Sequence, residues 1–351
     1  MTWTEPHTMT ARCPEDLLAM VPVTLGFTPT DSVAMLTFGA VHPFHARVDL
    51  PSRRGDLPGL VDALLNPARR NGVRCVILVF FTDDEVAARR AWHALRDACA
   101  RAGVEVLEAL RADGRRWFPL LHGDRRARDL GLPYDVSNHP FLAEAVLRGQ
   151  VLRTSRDELA RSLAPLPDRV AGVHSALARR PARGSRPPST AELLGEGEWV
   201  EALLRRHLAR RTPPGDDDVA RLLRALHDLG LRDAALCVIE RATATDCVEL
   251  WADVLRRTPA ELAAPPASLL GWSAWQAGHG ALAWCAVEVA LGADPDDVLC
   301  GQLAPRLDQA IPPGEWVPDP DWAARLTPRA GPSQAEPNLT LRGGGCEAGQ
   351  D

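Results

Sequence analysis

Residues 73–81, VRCVILVFF, decide the fold expected for this chain. The run is almost continuously apolar and β-rich, which is typical of a strand that is covered on both faces of a sheet. Thr82 and Glu85 follow with the spacing of a capping box, so a helix is predicted to open there. Its apolar stripe ends at Gly103, a residue favoured just past a helix. A second strand over residues 104–110 then completes a βαβ unit.

Two shorter β-rich runs precede this unit. SVAMLTF (32–38) and FHARVDL (44–50) are separated by a turn that contains Gly39 and Pro43, so a hairpin is predicted. A helix is expected between Asp56 and Pro67, where leucines recur at helical spacing.

Strand and helix signals continue past residue 110. Asp113-Gly114 predicts a turn into a strand over 115–120 that pairs back on its predecessor, and residues 122–133 read as a loop. Helices are predicted over 140–148 and from Ser155, with Glu158 as the partner in a second capping box.

The second half of the chain has helical periodicity. The fold class predicted is therefore an N-terminal α/β unit, a mixed sheet with covering helices, followed by an all-α unit of helical hairpins. The predicted domains are an α/β domain at 13–178, an Arg/Pro/Ser-rich linker at 179–190, a helical domain at 191–320 and a disordered tail at 321–351.

One helical segment, residues 271–295, has Trp, Gly and Ala positions in an order that resembles a tetratricopeptide-like hairpin. Its small residues would let two helices approach closely. Only one convincing copy is present, so an ordinary helical hairpin accounts for the same residues.

Composition narrows the classes of function. All 40 basic residues are Arg and the net charge is −6, so nucleic-acid binding is not expected. The eight cysteines form no CxxC pair, and reduced core cysteines are expected. No apolar run of about 18 residues and no secretory signal is seen, so we expect no membrane association and a cytoplasmic location.

Catalytic and cofactor motifs are missing. GxGxxG, GxxxxGK[ST], GxSxG and HExxH do not occur, so no cofactor and no metal is predicted. Two groups of polar residues remain as a candidate ligand site. Asp31 and Ser32 open the first strand, and Arg47 and Asp49 leave one face of the second. The Arg47–Asp49 pair is either a structural ion pair or part of a ligand site.

Arg115 and Trp117 form the other group, beside Asp113 and past the end of a strand. In open α/β sheets, ligands usually bind beyond those strand ends. A turn with an exposed arginine explains the same residues equally well.

Several stretches resemble a bacterial, mainly actinobacterial family, the domain of unknown function 4192 family. The resemblance covers nearly all of residues 13–316 and brings no established activity. Family members often carry a Cys-Cys-Pro stretch after the Trp-containing turn, whereas residues 122–134 here hold no cysteine. The stretches that carry the resemblance are LGFTPTDS (25–32), RVDLP (47–51), DGRRW (113–117), SRDEL (155–159), PDRV (167–170) and the Trp- and Ala-rich segment 272–295.

Three functions are weighed. The first is a non-enzymatic interaction or regulatory protein whose helical half presents a groove to a protein partner. The second is an enzyme of unrecognised type with a small-molecule pocket near Arg47 and Asp49, which requires its polar groups to lie within about 12 Å of one another. The third, nucleic-acid binding through the linker, fits the acidic chain least. The oligomeric state is left open.

Overall fold

The computed structural model describes residues 9–40, 44–148, 150–180 and 187–326. Two compact units are present. The first ends at Leu159 and also takes in Asp308–Ile311, and the second begins at Ala160. The predicted linker at 179–190 and tail at 321–351 lie partly outside the described residues.

The first unit is built on a six-stranded mixed sheet of order β2-β1-β3-β4-β5-β6. β3 and β4 are parallel, as the βαβ interpretation predicts, and the other neighbouring strands are antiparallel. The strands are β1 Ser32–Phe38, β2 His45–Asp49, β3 Cys75–Phe81, β4 Glu105–Ala112, β5 Arg116–Pro119 and β6 Leu132–Pro133, and the helices are α1 Pro14–Leu25, α2 Leu57–Arg70, α3 Glu85–Ala102, α4 Arg125–Leu130, α5 Pro140–Leu147 and α6 Arg156–Arg161.

β3 lies in the interior of the sheet because its side chains are buried on both faces. Val76, Leu78 and Phe80 pack towards α2 and α3. Ile77 and Val79, which alternate with them, pack with side chains of α1 on the opposite face. The predicted buried strand is confirmed, and so is the hairpin, since β1 and β2 pair antiparallel.

The capping box predicted at Thr82 and Glu85 is wrong. The helix opens two residues later, at Asp84, whose carboxylate accepts a hydrogen bond from the Ala87 amide at 2.9 Å. The Thr82 hydroxyl instead donates to Asp31 at 2.8 Å. The predicted end of the helix is confirmed, because Gly103 adopts the left-handed φ of 68°.

The interpretation of residues 122–133 as a loop is also wrong, because α4 and β6 lie there. Asp124 caps α4 by accepting from the Ala127 amide at 2.7 Å, and β6 pairs with β5. No residue of α4 is buried, so this short helix lacks the apolar stripe by which a helix is recognised. α2 continues past Pro67 and ends at Arg70, just before the Asn71-Gly72 turn that the sequence also indicates as its end.

Every regular element described in the second unit is helical. These helices are α7 Pro167–Arg179, α8 Thr190–Arg210, α9 Asp216–Ala225, α10 Leu229–Leu236, α11 Ala244–Arg256, α12 Ala264–Gln276, α13 Gly280–Ala293 and α14 Val298–Asp308. α12 packs against α13 and α11, and all its residues are buried. A Cβ on Gly271 of α12 would lie 2.9 Å from the Leu303 side chain of α14, so the glycine makes room for this leucine.

A buried ion pair links α10 to the start of α14. Arg232 donates to Asp297 at 2.7 Å, and their side chains are 8% and 0% exposed. Asp297 also accepts from the Cys300 amide at 2.9 Å, which caps α14. Some charged side chains of the second unit therefore stabilise its interior.

Candidate functional site

Arg47 and Asp49 form an ion pair at the edge of the sheet. Their side chains approach to 2.5 Å, and only that of Asp49 is well exposed (77%, against 14% for Arg47). Arg47 also donates to the Thr30 carbonyl at 3.2 Å and lies over the Phe27 ring at 5.9 Å. Burial lowers the pKa of Arg47, and the Asp49 carboxylate opposes that shift. These contacts fix the guanidinium largely within the protein.

Asp31 joins three segments of the first unit. Its φ is 41°, in the left-handed region, and its carboxylate accepts from the Thr82 hydroxyl at 2.8 Å. The Asp31 carbonyl accepts from the Leu50 amide at 2.8 Å. Asp tolerates this backbone conformation better than most residues, so the geometry accounts for an aspartate here.

Two polar atoms near Arg47 are buried without a partner among the described residues. One is the Ser32 hydroxyl oxygen and the other is Nε of Arg47. Ser32 is fully buried. A buried polar atom without a hydrogen-bond partner costs about 1–3 kcal/mol. The contacts that stabilise the fold at the sheet edge therefore do not account for these two atoms.

Asp113 and Arg115 lie in the turn between β4 and β5, and Trp117 lies at the start of β5. Asp113 accepts from the Arg115 amide at 2.9 Å and from the Arg116 amide at 2.7 Å. Trp117 donates from Nε1 to Glu15 at 3.0 Å. Arg115 is exposed. Turn geometry and packing therefore account for Asp113 and Trp117.

The sheet register separates the two groups of predicted site residues. Ser32 pairs with Phe81, Phe81 with Ala112, and Ala112 with Trp117. Neighbouring strands lie about 4.8 Å apart, so Ser32 and Trp117 are separated by roughly 14 Å, and β2 lies one strand further away. Asp31, Ser32, Arg47 and Asp49 lie on the β2–β1 side of the sheet, whereas Arg115 and Trp117 lie on the β5 side, beyond the reach of the same small ligand.

A different site lies in the second unit, where α8 and α11 leave a cavity of about 220 Å³, here called the α8–α11 pocket. It combines three carboxylates, one arginine, one histidine and apolar side chains. Its lining residues are His207, Leu208, Arg211, Thr212, Pro213, Asp246, Glu249, Leu250 and Asp253.

The back wall of the α8–α11 pocket is held by Arg257, whose side chain is 2% exposed. Arg257 pairs with Asp253 and with Asp216, at 3.2 Å in the latter case, and it donates to the Pro214 carbonyl at 2.9 Å. Arg169 adds a second ion pair to Asp253 at 3.0 Å. The charge of Asp253 is therefore already balanced within the protein.

The mouth of the α8–α11 pocket is less constrained. Arg211, 77% exposed, approaches Asp246 at 3.4 Å, a weak solvent-exposed pair. Glu249 is exposed, and no hydrogen bond or ion pair from it is seen within the described ranges. His207 contacts the Thr212 carbonyl through Nδ1 at 2.8 Å, so Nδ1 carries the proton. The mouth thus presents carboxylate acceptors.

The adjoining interior is apolar and chemically inert. Leu208 and Leu250 of the pocket also pack with Cys247 and Trp251 in an apolar region that leaves no room for a water molecule. Burial raises the pKa of the Cys247 thiol to about 11, so the thiol is protonated at neutral pH and is a poor nucleophile. None of the seven cysteines within the described residues is in a disulfide.

These pocket residues belong to no motif in the sequence, although one spacing signal exists. Asp246, Glu249 and Asp253 have i, i+3 and i+7 spacing and so share one face of a helix. What the sequence could not supply is that α8 lies opposite this face. Among the described residues, no group of three or more His, Cys, Asp and Glu side chains is placed to hold a metal.

Comparison with known proteins gives a family. The model of the domain of unknown function family (DUF4192) matches residues 14–314, so the chain belongs to this family. No curated protein and no solved structure matched the chain. Within the described part of the chain, no helix has both the length and the hydropathy needed to cross a membrane.

Proposed function

We propose that this chain is a non-enzymatic interaction or regulatory protein that binds a protein partner through its helical second unit. The observation that carries the proposal is the α8–α11 pocket, in which carboxylates lie beside the apolar side chains of Leu208, Pro213 and Leu250. Such a combination suits a long basic side chain, whose stem is apolar and whose end carries the charge. The partner would therefore present Arg or Lys.

The arrangement of the pocket favours binding over catalysis. The adjoining cysteine is protonated, so it is a poor nucleophile. Asp253 is paired with two arginines, so its carboxylate is not available as a general base.

Charge reversal at the mouth tests the proposal. The tagged full-length chain is used to recover a stoichiometric partner from an extract of its native host, alongside Glu249→Arg and Glu198→Arg. Glu198 is an exposed acid of α8 outside the pocket and makes the same charge change. We expect the wild type and Glu198→Arg to retain the partner and Glu249→Arg to lose it. Equal recovery by all three, or no stoichiometric partner, would contradict the proposal.

A second candidate is a small-molecule site, as an enzyme or an effector site, around Asp31, Ser32, Arg47 and Asp49. It is supported by the partnerless buried atoms of Ser32 and Arg47. Native mass spectrometry of protein from its own host should then show a bound small molecule that Ser32→Ala and Arg47→Met both lose. If no such mass is found and Ser32→Ala is at least as stable as the wild type, the buried Ser32 hydroxyl has no role in ligand binding.

The remaining expectations stay predictions from the sequence. They are the cytoplasmic location, the actinobacterial source, the exact domain limits, and the organisation of the helices as hairpins with a tetratricopeptide-like pair at α12 and α13. Purification of the intact second unit as a folded fragment would support the proposed independence of the helical domain.

A further inference from the structure

The last described segment of the second unit packs across two helices. This segment, residues 316–326, is here called the strap, and it lies beyond the region matched by the family model. It contains a short 3-10 helix, Trp322–Arg325, and three of its large apolar side chains are buried, whereas Val317 is exposed. Trp316, Trp322 and Leu326 are 8%, 3% and 6% exposed.

Side chains hold the strap in place. Trp322 donates from Nε1 to Glu201 of α8 at 3.1 Å, and Arg325 pairs with Asp233 of α10 at 3.4 Å. Within the described residues, the backbone amides of the strap bond to nearby acceptors two or three residues earlier in the chain, as in Leu326 to the Ala323 carbonyl and Asp321 to the Asp319 carboxylate. The strap is therefore not tied to α8 or α10 by a backbone ladder.

Two glycines, one on α8 and one on α10, make room for the side chains of the strap. A Cβ at Gly197 of α8 would lie 2.2 Å from the Trp322 ring, and a Cβ at Gly230 of α10 would lie 2.7 Å from the Leu326 side chain. Glycine inside a helix costs about 1 kcal/mol relative to alanine, so Gly197 has a packing reason to be there. The surface of α8 and α10 that contacts the strap is here called the α8–α10 groove and is defined by Gly197, Glu201, Gly230 and Asp233.

We propose that the α8–α10 groove is a recognition site for peptide segments with the pattern Trp-x-x-Arg-Leu, and that the strap occupies it as an internal competitor. The contacts specify this chemistry: an indole on glycine that donates to a carboxylate, a guanidinium on a second carboxylate, and a leucine on the second glycine. A segment from a partner protein can replace all three contacts because no backbone pairing has to be rebuilt. The groove is distinct from the α8–α11 pocket, so the two proposals can fail separately.

Charge at the groove agrees with a cationic occupant. Burial raises the pKa of Asp233, Arg325 lowers it, and Asp319 raises it. Arg325 also pairs with Asp319 of the strap itself, at 2.8 Å. A partner segment that supplies an arginine would meet Asp233 in the same way.

The probe is a fluorescent peptide with the sequence of residues 319–326, DPDWAARL, titrated into full-length variants and followed by anisotropy. Trp322→Ala removes the anchor of the strap and leaves the groove open, so it should bind the peptide at least about tenfold more tightly than the wild type, in which a tethered competitor is present. Adding Gly197→Ala should abolish this binding. Adding Gly195→Ala instead should leave it intact, because a Cβ there has no atom within 4 Å.

The proposal is overturned if folded Trp322→Ala binds the peptide no better than the wild type, or if its Gly197→Ala form binds equally well. Circular dichroism and thermal unfolding establish folding first. If Trp322→Ala does not fold, trypsin cleavage after Arg325 is compared between Gly197→Ala and Gly195→Ala in the otherwise native chain. Faster cleavage in Gly197→Ala is expected, and equal cleavage would show that the strap is a fixed part of the fold.

Discussion

The edge of the sheet and the α8–α11 pocket use the same kinds of side chain differently. At the sheet edge, Asp31 and Arg47 bond to neighbouring strands and loops and so hold the protein together. In the pocket, Asp253 at the back wall is bonded in this way, whereas Glu249 at the mouth is exposed. The comparison shows that a polar residue on a strand does not by itself indicate a ligand site. A side chain whose hydrogen bonds and ion pairs are already made within the protein stabilises the fold.

The largest expected effect is on the back wall of the pocket. Arg257→Met removes the partner of Asp253 and Asp216 from a position that is 2% exposed. Breaking a buried ion pair costs about 3–5 kcal/mol, and we expect about 3 kcal/mol because Arg169 still contacts Asp253. Denaturant unfolding measures this loss in the free energy of unfolding. Arg211→Met breaks only an exposed ion pair, so it should lower the free energy of unfolding by less than about 1 kcal/mol. Similar losses for both variants would mean that the back wall and the mouth of the pocket do not differ.

The next effect tests whether Asp31 is scaffolding. Asp31→Ala loses the hydrogen bond from Thr82 and places alanine at a φ of 41°, so we expect a loss of about 2 kcal/mol in the free energy of unfolding. Asp31→Asn keeps an acceptor and tolerates this φ, and it should lose less than about 1 kcal/mol. An alanine variant as stable as the wild type would mean that the residue is kept for another reason.

Acid stability of the first unit gives a third test. The pKa of Asp16 is lowered, chiefly by the hydrogen bond from the Arg12 amide, with His139 also donating, at 2.6 and 3.0 Å. A lowered folded-state pKa contributes stability that is present above the unfolded value of 3.8 and is lost as the pH falls through the folded value. Asp16→Asn should therefore flatten the decline in stability below pH 3.8. An unchanged pH profile would mean that this carboxylate does not contribute.

The smallest effect is expected at the mouth of the pocket. Glu249→Gln should change the free energy of unfolding by less than about 0.5 kcal/mol, because Glu249 is exposed and bonds to no described neighbour. Thermal unfolding checks this. A loss of more than about 1 kcal/mol would show that Glu249 supports the fold, and the mouth would then resemble the sheet edge.

Burial patterns made much of the fold predictable. The continuous apolar run at β3, the stripe of α3 and the turn at Asp113-Gly114 each carry their own local signal, and the structure has the corresponding elements. α1 and α7 were not predicted. In α1 the apolar residues are not confined to one stripe, and Pro22 lies inside the helix, while α7 buries only Val173 and Ala176.

The candidate site was harder to predict because it depends on distance. Sequence order placed Arg47 and Arg115 beside strands, but only the register shows that β2 and β5 are separated by β1, β3 and β4. Similarly, the acids of α11 share a face that the sequence reveals, whereas the opposing helix α8 is known only from packing. Pairwise proximity between distant segments is the part that local patterns do not contain.

Hydrogen exchange of the native complex, compared with the free chain, tests the central claim most directly. If the second unit binds its partner through the α8–α11 pocket, the backbone amides of residues 207–213 and 246–253 should exchange more slowly in the complex, and Glu249→Arg should remove the difference. Slower exchange confined to the sheet edge around Arg47 and Asp49, with no change in α8 or α11, would contradict the account.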